Sequence, residues 1–274
     1  MGYPTIDAPY GYKPVNLIGG QVFSGSTREY PISYNYGTSI FYGDPVVISS
    51  GFVNIATVPI NTTNTTVGVF LGCSYTDAVT KQKRFSQYYP ANTLAGDIQA
   101  VICDDPDTVF KIAVVTAAGV QTIGSMSQLA VGVNVAGSTT TGSAATGNSS
   151  LGVVGATGNT ASAGFRVLGL VPDTQVETSA TYVSGTGTTT LTVSGLTVGQ
   201  VLPIGTDVYQ LVAATGQLQF TGSSLTAAAT VSSATSQALT VTASTVTVTG
   251  TLVLVQSPEI LAKINFNVHR YYIA

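Results

Sequence analysis

Few residues of this chain could carry out acid–base or nucleophilic chemistry. Its 274 residues include one histidine, His269, which stands beside Arg270 and two tyrosines near the C-terminus. A general base needs a positioned partner, and the sequence marks none. The chain has no GxSxG serine motif, no P-loop and no convincing dinucleotide-binding GxGxxG motif. We therefore predict that His269 is a packed or hydrogen-bonded strand residue and that the protein is not an enzyme.

The only acidic cluster, Asp104-Asp105-Pro106-Asp107, contains the oxygen ligands that Ca²⁺ prefers. It lacks the DxDxDG spacing of a calcium loop, and an Asp/Pro run between two apolar segments favours a turn. The two cysteines, Cys73 and Cys103, show neither CxxC spacing nor a Cys/His zinc pattern. We expect a turn, buried free thiols, no metal and no cofactor. A glycosidase-like carboxylate pair stays open, because the chain has twelve acidic residues.

Charge is scarce along the whole chain. Charged residues make up 8% of it and the net charge is −3 at pH 7. The one basic cluster, Lys81, Lys83 and Arg84, indicates a solvated turn rather than the cationic surface that nucleic-acid binding needs. There is no run of about 18 apolar residues and no signal-peptide pattern, so we expect no membrane contact. So little charge favours a surface covered in an assembly over a soluble protein coated with hydroxyl groups.

Strand signals are frequent and helix signals are rare. Several short segments rich in β-branched residues are bounded by Gly, Asp or Pro, as is typical of strands. These segments are residues 45–48, 66–71, 109–115, 165–170 and 261–266. Many short strands separated by turn residues indicate a barrel or a sandwich. The prediction is an all-β protein with a β-barrel-like core.

Composition divides the chain into an arm, a core and an insertion. Residues 1–30 are rich in Pro, Gly and Tyr without periodicity, which predicts an extended N-terminal arm. Residues 31–173 are predicted to form the β core, which residues 259–274 close. In residues 174–258 Thr alternates with apolar residues, which predicts an inserted, β-sandwich-like domain of six or seven strands.

Several segments resemble the head decoration (cement) proteins of tailed phages, particularly marine and cyanobacterial ones. The resemblance covers residues 1–172 and 259–274. The segments that carry it are residues 8–20 (APYGYKPVNLIGG), 36–46 (YGTSIFYGDPV), 68–77 (GVFLGCSYTD), 85–90 (FSQYYP), 104–110 (DDPDTVF) and 263–272 (KINFNVHRYY). The Thr-rich insertion departs from the family pattern.

The resemblance implies a β-tulip type core and trimers seated where capsomers meet on the outer capsid. The implied partner is the major capsid protein, and the implied role is to stabilise the expanded shell of a virion assembled in the host cytoplasm. Tyr3, Tyr10 and Tyr12 of the arm are the candidate capsid contacts, because tyrosine combines a large area, a hydroxyl group and few rotors. Packing of these tyrosines on their own domain is an equal alternative.

A second function class is a carbohydrate- or cell-surface-binding β module of a phage fibre or adhesin. The Thr-rich insertion would then be the binding face. Glycan sites usually stack sugars on aromatic side chains, and this zone offers only Tyr182, Tyr209 and Phe220. An enzyme such as a depolymerase is a third class, which would depend on a carboxylate pair.

Overall fold

The computed structural model describes residues 6, 8–126, 130–155, 161–174, 176–183, 187–193, 201–204, 207–211, 217–220, 228–231, 237–243 and 249–272. These residues form strands, turns and short 3-10 turns such as Pro172–Thr174 and Arg270–Tyr272. The prediction of an all-β protein is confirmed. Within the described residues, no helix has the length and apolar content to cross a membrane.

The chain divides into two compact units. The core unit comprises Ile6–Ser125, Val131–Gly169 and Pro258–Ala274, and the Thr-rich unit contains Leu170–Ser257. The strands of the core unit are β1 (Lys13–Leu17), β2 (Arg28–Pro31), β3 (Pro45–Ser49), β4 (Phe52–Ile55), β5 (Gly68–Thr76), β6 (Lys83–Ser86), β7 (Gln99–Cys103), β8 (Thr108–Val115), β9 (Asn134–Val135), β10 (Val153–Val154), β11 (Phe165–Leu170) and β20 (Glu259–Ile264). Those of the Thr-rich unit are β12 (Val176–Val183), β13 (Gly187–Val193), β14 (Val201–Ile204), β15 (Asp207–Leu211), β16 (Gln217–Phe220), β17 (Ala228–Val231), β18 (Gln237–Ala243) and β19 (Thr249–Gln256).

The first sheet of the core unit has the order β1-β8-β20-β11-β9, with β10 also paired to β8. The last strand of the chain, β20, thus lies inside this sheet, antiparallel to β8 with Ile260 opposite Ile112. Both of these isoleucines are fully buried. A strand that is buried on both faces has a nearly continuous apolar sequence, which explains why β8 contains so few polar residues.

The second sheet has the order β2-β7-β5-β3-β4, with β6 paired to β5. Its two edges approach each other at a single bridge between Ile32 and Val53. Both residues belong to a buried cluster that also contains Phe70 and Ile102. The sheet therefore curves around a core. Its described strands are not paired beyond that single bridge, so they do not form a closed barrel.

The Thr-rich unit contains eight described strands in two antiparallel sheets, against the six or seven predicted. One sheet is β12-β19, and the other has the order β13-β18-β17-β16-β15-β14. Across the second sheet, Thr190 stands opposite Thr240 and Thr240 opposite Thr230. The Thr/apolar alternation thus becomes rows of threonine at matching register positions, since alternate residues of a strand share a face.

Candidate functional site

Two tyrosines of the predicted arm, Tyr10 and Tyr12, pack against the core unit. Tyr12 is fully buried in the core unit, and its ring centroid lies 4.7 Å from that of Phe165. Its backbone N–H donates to the carbonyl of Gly43 at 3.1 Å. Tyr12 is therefore a core residue, which agrees with the alternative that the arm tyrosines pack on their own domain. Tyr3 lies outside the described residues.

Tyr10 belongs to a charged group that we call the N-terminal cluster: Tyr10, Lys13, Lys111 and Glu259. The Tyr10 hydroxyl donates to Oε1 of Glu259. The Lys13 ammonium stands 4.1 Å from the centre of the Tyr10 ring, and Lys111 Nζ is 3.4 Å from Glu259 Oε1. Lys13 is opposite Lys111 in the β1–β8 ladder. Tyr10 thus packs on its own unit, as the alternative expectation had it.

Burial shifts the pKa values of Tyr10 and Lys13 in this cluster. It raises the pKa of Tyr10, and the hydrogen bond to Glu259 and its charge act in the same direction. Burial also lowers the pKa of Lys13, as does the neighbouring Lys111, while Glu259 opposes them. Because these groups come from β1, β8, β20 and the segment before β1, the cluster fastens the N-terminal segment to the middle of the first sheet.

A second group, the C-terminal cluster, consists of Arg28, Tyr30, Asp104 and Tyr271. The buried carboxylate of Asp104 accepts hydrogen bonds from the hydroxyls of Tyr30, at 3.0 Å, and of Tyr271. Arg28 Nη1 lies 3.4 Å from the same oxygen. The cluster joins β2 and the end of β7 to the segment after β20. It therefore holds the C-terminal segment against the second sheet.

His269 is packed next to the C-terminal cluster. It is buried and forms a parallel bridge with Thr66, and the N–H of Tyr271 donates to its Nδ1 at 3.3 Å. Burial lowers the pKa of His269, against the charge of Asp104. Its surroundings thus favour the neutral imidazole. The expectation of a packed histidine is confirmed.

The acidic run after β7 forms the predicted turn. The Thr108 N–H donates to the Asp105 carbonyl at 3.1 Å, and the Asp107 N–H donates to Asp105 Oδ1 at 2.9 Å. Asp107 also lies 3.5 Å from Lys263 Nζ. In the described part of the chain, no three His, Cys, Asp or Glu side chains are grouped so that they could hold a metal ion.

Both thiols are free and buried, as predicted. Burial raises the pKa of Cys73 to about 12 and that of Cys103 to about 11. A thiolate is the reactive species, and these values leave almost none at neutral pH. We therefore expect no reaction with a disulfide reagent such as DTNB in the native protein, and release of both thiols when denaturant is added. Stoichiometric labelling of the native protein would contradict this expectation.

One surface of the core unit combines apolar, basic and strand-edge features. We call residues 74–86, which form the end of β5, a turn and β6, the basic hairpin. Val79 and Phe85 in it are 89% and 85% exposed, the highest values among the large apolar side chains that the structure describes as exposed. Beside it, an open groove of about 580 Å³ runs over β7, β5 and β6, lined among others by Leu71, Val101 and Phe85.

A β-bulge shapes this groove. The β5–β7 register shifts between Phe70 and Gly72, and Gly72 has φ 144°, a conformation that L side chains rarely adopt. A Cβ at Gly72 would lie 3.0 Å from the carbonyl oxygen of Ser86. Glycine therefore lets β6 approach β5 at the bulge.

Comparison with protein-family models, curated proteins and solved structures finds no match to this chain.

Sequence reasoning missed the clusters and part of the hairpin. Tyr10 and Glu259 are 249 positions apart, so no local pattern links them. The hairpin did leave a signal, because Lys81, Lys83 and Arg84 form the only basic cluster of a charge-poor chain. The exposure of Phe85, which lies between Arg84 and Ser86, could be inferred only from the pairing of β6 with β5.

Proposed function

We propose that this chain is a structural virion protein that binds the outer surface of a phage capsid and stabilises the expanded shell. The observation that carries the proposal is the exposure of apolar side chains on a well-packed core unit whose chain is only 8% charged. Val79 and Phe85 are 89% and 85% exposed. Exposed apolar surface on a protein with little charge is typical of an interaction site. The resemblance of residues 1–172 and 259–274 to decoration proteins points to the shell as the partner.

Assembly geometry also supports this function. A capsid repeats its contacts by symmetry, and an oligomer seated on a local axis contacts several subunits at once. Modest individual contacts then add through effective concentration. A trimer of this chain at a capsomer junction would therefore need no single strong site. The partner is the major capsid protein, and the site of action is the outer surface of the virion.

Co-sedimentation with expanded, undecorated phage heads tests the proposal. We expect bound copies to saturate at a fixed number per capsid subunit, and decorated heads to withstand a higher temperature before DNA release. Saturation reports a defined site, whereas continued uptake reports non-specific adsorption. Absence of saturable binding would overturn the proposal and favour the adhesin alternative.

One observation favours the adhesin alternative, a carbohydrate- or cell-surface-binding module. The register of the six-stranded sheet aligns Thr190, Thr240, Thr230 and Gln217 across four neighbouring strands. Such a row brings neutral hydrogen-bonding residue types, suited to sugar hydroxyl groups, to one level of the sheet. Binding to a glycan array that depends on Tyr182 or Tyr209 would establish this function instead.

A further inference from the structure

The basic hairpin is held in one conformation by two aspartates. Asp77 Oδ1 accepts hydrogen bonds from the backbone N–H groups of Val79 at 2.8 Å and Thr80 at 2.9 Å. Asp97 accepts from the Thr76 hydroxyl at 2.7 Å, from the Thr76 N–H at 2.9 Å and from Lys83 Nζ at 3.1 Å. These bonds lower the pKa of both carboxyls, so both aspartates are ionised at neutral pH. Val79 and Phe85 are therefore presented on a pre-ordered support, which reduces the entropy lost on binding.

The hairpin also ends in an available strand edge. Among the described strands, β6 pairs only with β5, with Phe85 opposite Ser74. Its other edge carries backbone N–H and C=O groups that a further strand could pair with. Phe85 lines the groove on the same surface. An extended segment laid along β6 could hydrogen-bond to the backbone of its outer edge and place an apolar side chain in the groove. In strand addition the backbone hydrogen bonds provide affinity, and the side-chain pocket provides specificity.

Charge selects among extended segments. Lys81, Lys83 and Arg84 are three of the nine Lys and Arg residues of the whole chain. Arg84 pairs with Asp77 at 3.3 Å and Lys83 with Asp97 at 3.1 Å, which leaves Lys81 as the excess positive charge of the hairpin. On a chain of net charge −3, this local excess favours a partner with an acidic residue facing Lys81. Glu29, which lines the groove, disfavours a further acidic residue beside the apolar one.

We propose that β6 and its groove dock an extended segment of the major capsid protein that carries an apolar residue and, at the Lys81 end, an acidic one. The apolar residue packs against Phe85 in the groove, the segment pairs with the outer edge of β6, and an acidic residue faces Lys81. This inference rests on the proposed function, because it takes the shell subunit as the partner. It places the attachment on the hairpin rather than on the arm tyrosines.

Head-binding affinities of four proteins test the docking surface: the wild type, Val79→Ser/Phe85→Ser, Lys81→Glu and the matched control Val22→Ser. The altered side chains are all exposed and lie outside the core, so thermal midpoints should stay unchanged. Loss of an aromatic anchor should weaken binding about 30-fold or more. Lys81→Glu should weaken it by a smaller factor that shrinks at high salt, because salt screens exposed charges. Val22→Ser should bind like the wild type.

Amide hydrogen exchange gives an independent readout. Strand addition should slow exchange in residues 83–86 when heads are bound, and leave the exposed turn near Val22 unchanged. If the wild type binds heads while the double variant binds equally well, or if Val22→Ser weakens binding as much, the docking surface is wrong and the decoration role stands. If the wild type does not bind, the proposed function fails and the docking inference falls with it.

Discussion

Replacing Glu259 with alanine is expected to lower the free energy of unfolding of the core unit by about 3 kcal/mol. Glu259 is 2% exposed and is the only carboxylate described in contact with Lys111. Without it, Lys13 and Lys111 face each other across the β1–β8 ladder, and like charges directly opposite destabilise a sheet. The Tyr10 hydroxyl also loses its acceptor. Removing one partner of a buried ion pair costs about 3–5 kcal/mol. We take the lower end of that range because the Lys111 side chain keeps 35% of its surface exposed.

Denaturant unfolding followed by tyrosine fluorescence measures this effect. Glu259→Gln is the matched control, because it keeps the size of the side chain and an acceptor oxygen for Tyr10 while removing the charge. We expect the glutamine variant to lose less than the alanine variant. A loss below about 0.5 kcal/mol for Glu259→Ala would show that the N-terminal cluster does not stabilise the core unit, since surface pairs commonly contribute that little.

The strands of the core unit were predictable because their signal is local. The apolar, β-branched segments at residues 45–48 and 165–170 coincide with β3 and β11. Their side chains fill the core whichever sheet they join, so composition alone marks them. The placement of β20 between β8 and β11 was not predictable in this way, because strand order depends on partners far away in the chain.

The arm shows where local reasoning fails. Pro, Gly and Tyr without periodicity suggest a segment that lacks its own core. Tyr12 is nevertheless buried, because Phe165 and the glycine backbone at Gly43 form its pocket from other parts of the chain. A Cβ at Gly43 would lie 2.9 Å from the Tyr12 nitrogen, so that approach requires glycine. Deleting the first fifteen residues would therefore remove core packing as well as any partner contact.

Asp44, which lies at the turn beside Tyr12, is the second group with a large expected effect. It is 3% exposed and accepts a hydrogen bond from the Phe41 N–H at 2.8 Å. Burial raises its pKa to about 6, although bonds from Ser149 and Phe41 act in the opposite direction. The folded protein therefore binds this proton more tightly than the unfolded chain does.

The sign of the resulting pH dependence follows from that difference. Stability falls with pH wherever the folded state binds more protons. The contribution of Asp44 is thus fully present below about pH 4, and is lost as the pH rises through about 6. Two pKa units correspond to about 3 kcal/mol, of which roughly 2 kcal/mol falls between pH 4 and pH 7.

Asp44→Asn isolates this contribution, because the amide keeps the acceptor for Phe41 and cannot ionise. Unfolding free energies of the wild type and the variant should be measured at pH 4 and pH 7 in the same denaturant. We expect the wild type to lose roughly 2 kcal/mol relative to the variant on going from pH 4 to pH 7. Other acids, such as Asp97, whose pKa is lowered by its hydrogen bonds to Thr76, affect both proteins alike and cancel. A constant difference between the two proteins would mean that folding does not raise the pKa of Asp44, contrary to its burial beside Tyr12.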